Sequence, residues 1–266
     1  MTAQPTQGGQ AKPSESLLSI RHIRKRFGAV EALRDVSLDV RPGEVVALVG
    51  DNGAGKSTTI KMIAGVEQPD EGEILFEGRS VRMNGPADAE ALSIQTVYQD
   101  LALCDNLDIV SNLYLGRELN RRIIPGFFRT MNKPEMEKNA VPVLRDLGIN
   151  LPPLNTLVSS LSGGQRQTVA VARAVLWGSK LVMLDEPTAA LGVAQTRAVL
   201  QLIRRLADAG VGVLVISHNL SDVFEIADKI VVLRLGRTIA QYNKSEVKPE
   251  DVVAAITGAT QEVTQA

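Results

Sequence analysis

The 266-residue chain is long enough to bury roughly three quarters of its unfolded surface, which favours one large domain, or one plus a subdomain, stable without crosslinks. Its 29 basic and 30 acidic residues leave a formal net charge of −1, so it lacks the broad positive field of nucleic-acid binders and no nucleic-acid partner is expected. The single cysteine, Cys104, excludes an internal disulfide and a cysteine-rich metal site, and reads as a packed thiol in a reducing compartment.

In chain order, "MTAQPTQGGQAKPSES" is polar and carries no apolar segment of signal-peptide type, so residues 1–16 are expected to form an exposed, disordered arm. "LLSIRHI" and "LRDVSLDV" alternate as half-exposed strands do, whereas "GEVVALVG" is a continuous apolar run suited to a fully buried strand. "GKSTTIKMIAGV" has helical spacing and stops at Gly65. "GEILFEG" and "RSVRM" return to strand character across a glycine turn, which predicts a small antiparallel sheet beside the main one. From about Leu107 to Asn150 the pattern is mostly helical, and an inserted subdomain over about 100–160 is expected. It is interrupted by "RRIIPGFFRT", where Phe127 and Phe128, flanked by Arg121, Arg122 and Arg129, either meet a partner or lipid or belong to the subdomain core.

Alternation then resumes: a helix opened by "LSGGQ", the strand "KLVMLDEP", a helix over about 195–209, the strand "VGVLVISH", a further helix and the strand "KIVVLRLG". The polar tail from about 258 is expected to fray. Buried strands alternating with amphipathic helices define an α/β fold with a mainly parallel sheet, and ligands of such sheets gather at the carboxyl ends of the strands. No run of eighteen apolar residues is present, so no membrane crossing is expected.

"GDNGAGKST", Gly50 to Thr58, matches the phosphate-loop pattern and lies between a strand and a helix, as that pattern requires. Gly50, Gly53 and Gly55 free the backbone of Asp51, Asn52 and Ala54 to curl around phosphates. The helix then offers its positive end, Lys56 reaches the β- and γ-phosphates, and Ser57, next to Thr58, offers a hydroxyl to Mg²⁺. The bland alternative is a glycine-rich turn. "LVMLDEP" adds a strand ending in Asp185, able to hold Mg²⁺ through water, and then Glu186, the candidate general base for the water that attacks the γ-phosphate. Taken alone, this pair is also compatible with an acidic turn before Pro187. "LSGGQ" places two glycines at the entry of a long helix, where bare backbone admits an anion, and phosphate-loop enzymes use an added positive group or dipole of this kind, often delivered by a second molecule.

Together these segments resemble the signature sequences of ATP-binding cassette proteins, over about residues 17–257. The resemblance implies a P-loop NTPase core that uses ATP and Mg²⁺, and an opposed second copy whose γ-phosphate is capped by Ser162, Gly163 and Gly164, beside Gln165. It implies that Phe27 stacks on adenine, with a core aromatic as the alternative, that Gln99 joins the metal site to the helical subdomain, and that His218 is the switch histidine. His22 reads as an ordinary strand residue. One position departs: Gly192 stands where many cassettes carry aspartate, which leaves open how two sites would sense each other. "PTAALGVAQT" and "YQDLALCDNLDIVSNLYLGRE" are similar to the branch that imports simple sugars of fructose and ribose type. The implied assembly is a homodimer on the cytoplasmic face of the membrane, with separate permease subunits and, indirectly, a substrate-binding protein. Leu101 and Leu103 belong either to a permease-facing groove or to the subdomain core. A soluble non-transport ATPase and a non-catalytic nucleotide-binding module are the alternatives.

Overall fold

The computed structural model describes residues 16–124 and 128–259. The expected arm up to residue 15, Phe127 and the tail from 260 lie outside the described residues, as do the side chains of Arg122, Phe128 and Arg129. In chain order the first half comprises β1 (Leu18–Phe27), β2 (Val30–Val40), β3 (Val45–Val49), α1 (Lys56–Ile63), β4 (Glu71–Phe76), β5 (Arg79–Val81), α2 (Pro86–Ala91), β6 (Ile94–Val97) and α3 (Ile109–Leu113). The second comprises β7 (Asn120–Ile124), β8 (Phe128–Met131), α4 (Lys133–Asp146), α5 (Gly163–Val175), β9 (Leu181–Asp185), α6 (Val193–Asp208), β10 (Gly212–Ile216), α7 (Leu220–Ile226), β11 (Lys229–Arg234), β12 (Arg237–Asn243) and α8 (Pro249–Thr257).

Strands that are apolar at every position occupy the centre. β3 (Val-Val-Ala-Leu-Val) and β10 (Gly-Val-Leu-Val-Ile) are buried throughout, as strands covered on both faces must be. The sheet runs β5-β4-β1-β2-β12-β11-β3-β10-β9-β6. Within it β11, β3, β10, β9 and β6 are parallel neighbours, so the α/β class and the mainly parallel core expected from the sequence are present. The predicted antiparallel part is also present and is larger than expected: β4 and β5 pair with each other, and β4 continues through β1 to β2. β12 meets β2 through a single ladder pair, Arg237 with Asp35, supplemented by side-chain bonds from Thr238 and Gln241 to the Ser37 backbone.

At the interruption "RRIIPGFFRT", β7 and β8 pair antiparallel between helices α3 and α4. Leu101 and Leu103 are half-buried and pack against the larger hydrophobic cluster, which also holds Ile109, Leu113 and Leu161. Cys104 is half-buried and unpaired. His22 sits at a bulge in β1 with φ of 51° and contacts Asp35 Oδ1 through Nδ1 at 2.9 Å. Among the described residues no helix is long and apolar enough to cross a membrane.

Candidate functional site

Four adjacent parallel strands, β3, β10, β9 and β6, point their carboxyl ends the same way. Their following residues converge there, as the topology of a parallel sheet dictates. β3 delivers the Gly50–Thr58 loop, β9 delivers Asp185 and Glu186, β10 delivers Ser217 and His218, and β6 delivers Gln99. A cleft of about 490 Å³ is lined by Asn52 to Thr58 together with Gln99, Asp185 and Glu186. A second cleft, of about 480 Å³, adjoins it across the loop and is lined by Gly50, Asp51, Asn52, Ser217 and His218.

The loop requires glycine where the sequence has it. A side chain on Gly50, at φ 151°, would fall 2.2 Å from the Leu233 carbonyl oxygen, and one on Gly55, at φ 105°, would fall 2.6 Å from Leu33. Gly55 also starts α1 without a side-chain cap, and no acidic residue lies in the first helical turn. The opening amides of α1 are therefore donors at the positive end of a helix dipole, an arrangement suited to phosphate.

Lys56 is buried, and its Nζ donates to the carbonyl oxygens of Gly50 (2.7 Å) and Asp51 (3.0 Å). Burial pulls its pKa below the usual lysine value, opposed by the charges of Glu186, Asp51 and Asp185. Asp185 is shifted the other way: burial raises its carboxyl, the neighbouring Glu186 raises it further, and Lys56 only partly offsets this. Successive strand residues point apart, but Glu186 adopts φ 51° and donates its amide to Ile216 O at 3.0 Å. This bend turns its carboxylate into the same cleft as Asp185, where Glu186 Oε2 lies 2.8 Å from His218 Nδ1.

A group whose folded pKa lies above its unfolded one contributes stability below the unfolded pKa and loses it as pH rises through the folded value. Ionised Asp185 therefore weighs against the ligand-free fold at neutral pH. Asp185→Asn is expected to melt higher than the parent at pH 7, with the difference shrinking as pH falls toward 4. Thermal denaturation against pH checks this, and a lower melting temperature at pH 7 would contradict it.

Ser57, Asp185 and Gln99 line the same cleft. They form a set of hard oxygen donors, the chemistry that suits Mg²⁺. Phe27 ends β1 with 43% of its surface exposed. Lys25 Nζ lies 5.4 Å from its ring centre. Phe27 lines neither cleft.

The signature segment lies elsewhere. Ser162 caps α5: Gln165 N donates to Ser162 Oγ (3.3 Å), and Ser162 N donates to Gln165 Oε1 (2.9 Å), a reciprocal capping box. Ser162 and Gly163 are exposed, whereas Gly164 is buried, and a side chain on it would meet Gln195 at 2.8 Å. The second glycine thus serves packing of α5 on α6. Among the described residues none of Ser162–Gln165 lines the phosphate-loop cleft. Gly192 precedes α6 with an ordinary negative φ and open space at its Cβ, so nothing local requires a glycine there.

Sequence reasoning missed several supporting residues. Fully buried Asn112 organises the loop after Gln99 by donating to Cys104 O and Asp108 O, each at 3.0 Å, and accepting from Cys104 N at 2.7 Å. Asp222 accepts from Thr188 Oγ1 at 2.7 Å, steadying the turn after Glu186. Arg173 binds the turn after Gln99 from α5. Only the amphipathic pattern of α5 hints at this last residue, as a charged group on a largely buried helix.

A phosphate loop on a parallel sheet, with an acidic pair at the end of the neighbouring strand, defines a P-loop nucleotide-binding protein. Residues 33–189 match the ABC transporter family. The chain is 48% identical over 91% of its length to the xylose/arabinose import ATP-binding protein of Sulfolobus acidocaldarius, covering 94% of that protein. It is 47% identical over 92% of its length to the fructose import ATP-binding protein of Rhizobium meliloti, covering 95% of it. An ATP-binding cassette of an ABC transporter, solved in its ADP conformation, superimposes with a TM-score of 0.75 at 26% identity, over 91% of this chain and 95% of that one. The chain belongs to the ABC transporter family and is an ABC-type ATPase.

Proposed function

We propose that the chain is the ATP-hydrolysing subunit of a monosaccharide importer, acting as a head-to-tail homodimer at the cytoplasmic face of the membrane. It would drive separate permease subunits that receive sugar from a substrate-binding protein. The observation that supports this reading is the division of the site: loop, acidic pair, Gln99 and His218 line two neighbouring clefts, while the capped, exposed start of α5 lines neither. A second copy would supply that end.

In this reading the loop amides and Lys56 hold the triphosphate, and Phe27 offers its exposed face to adenine. Ser57, Asp185 and Gln99 would hold Mg²⁺, which when bound offsets phosphate charge. Glu186 takes the proton of the attacking water, while His218 orients Glu186 and senses the γ-phosphate. Ser162 and Gly163 of the partner present a hydroxyl and helix-end amides to the developing charge. Because those contacts exist only when two copies close on nucleotide, ATP favours the closed pair by differential binding. The helical region of about residues 100–160 would transmit that closure to the permease. The test is uptake of labelled pentoses and hexoses by cells with and without the gene. Loss of uptake of one of these sugars, restored by the parent chain and not by Lys56→Ala, is expected; unchanged uptake of all of them would refute the import role.

A further inference from the structure

We propose that Arg173 is the positioning residue for Gln99: from α5 its guanidinium grips the two carbonyls that follow the glutamine and so fixes where the Gln99 amide sits in the cleft. This rests on the role given above to Gln99. Arg173 Nη2 donates to Leu101 O at 3.1 Å and Nη1 donates to Ala102 O at 2.8 Å. A planar fork can satisfy both carbonyls at once, whereas a lysine ammonium is a point donor. Both gripped residues are strained, Leu101 at φ 58° and Ala102 at φ 44°, and neither is a glycine. Two consecutive left-handed residues persist only where their surroundings over-determine them. The turn has its own backbone bonds, Leu101 N to Tyr98 O at 3.0 Å and Ala102 N to Asp100 O at 2.7 Å, and the fork adds the tie that fixes it to α5. Gln99, two residues upstream, is exposed in the nucleotide cleft and depends on this turn for its direction.

The grip has a second point of attachment. Seven residues before Arg173, on the same side of α5, Arg166 pairs with Asp105 Oδ1 at 2.9 Å and donates to Leu161 O at 3.3 Å and Ser159 O at 3.2 Å. The segment 101–105 is thereby tied to the helix whose first residues are the signature glycines. The residue facing a chain's own cleft and the helix end offered to its partner form one piece, which gives Arg173 a reach beyond local packing.

The test compares the parent, Gln99→Ala, Arg173→Lys and the double variant by calorimetric ATP binding with and without Mg²⁺. Hydrogen exchange of residues 98–104 is measured on the same full-length proteins. Arg173→Lys keeps the charge and is expected to remain folded, to speed exchange in 98–104 only, and to reduce the Mg²⁺-dependent gain in ATP affinity by about threefold to tenfold, the worth of one hydrogen bond. The double variant is expected to lose no more of that gain than Gln99→Ala alone, because the two residues act in series. A purely structural arginine would lower the melting temperature and leave the Mg²⁺-dependent gain intact. Unchanged exchange at 98–104, or losses that multiply in the double variant, would overturn the assignment. A Gln99→Ala protein with the parent's Mg²⁺ gain would instead overturn the reading of Gln99, and the exchange data would still decide whether Arg173 holds the turn.

Discussion

Glu186→Gln is expected to lower ATP turnover by about 10²- to 10⁴-fold, the usual worth of a positioned general base, while leaving ATP binding in place. The substitution is nearly isosteric, and what holds residue 186 does not depend on its charge: the bend at φ 51° and the amide bond to Ile216 O belong to the backbone. A glutamine side chain can also keep a hydrogen bond to His218 Nδ1, now 2.8 Å from the carboxylate. What is lost is the ability to take a proton beside Asp185. Because nucleotide contacts survive while their destruction slows, the variant is also expected to accumulate a nucleotide-bound dimer that the parent forms only transiently. Steady-state turnover with size-exclusion chromatography in ATP measures both. Turnover within twofold of the parent would remove Glu186 as the base and direct attention to another group in the cleft.

That the variant can be specified in such detail reflects which parts of the site were legible in the sequence. Gly50–Thr58, Asp185–Glu186 and His218 each follow a short buried strand. A parallel sheet gives such strands a common direction, so local pattern plus alternation of elements was enough to bring the loop and the acidic pair together, whereas the role of His218 came from the family resemblance. Relations between distant segments were not legible. The bonds from Arg173 span 71 and 72 residues, and the packing of Gly164 against Gln195 depends on how α5 meets α6, which no periodicity encodes. The same limit applies to the antiparallel sheet: "GEILFEG" and "RSVRM" announced a hairpin, but its continuation through β1 to β2 is long-range register. Gly192 shows the converse. Its identity is plain in the sequence, and the structure adds that no backbone strain or crowding explains it.

The division of the site gives the second large effect. Gly163→Val is expected to lower turnover by about 10²- to 10³-fold, comparable to loss of an anion-stabilising donor, although Gly163 does not line its own chain's cleft. The fold should tolerate the change: Gly163 is exposed, its φ is not left-handed, and a Cβ would approach only Leu191, at 3.3 Å. Lys56→Ala disables the other half by removing the buried ammonium that bridges Gly50 and Asp51. In the proposed head-to-tail dimer, each variant alone carries one defect in both shared sites. In a mixed dimer both defects fall in one site and the other is built entirely from parental parts. If subunits exchange freely, an equal mixture of the two inactive proteins regains roughly a quarter of parental turnover, since half the dimers are mixed and each holds one intact site of two. Titrating one variant against the other at fixed total protein measures the recovery. Parental turnover by Gly163→Val alone, or by dilute monomer, would show that each polypeptide completes its own centre.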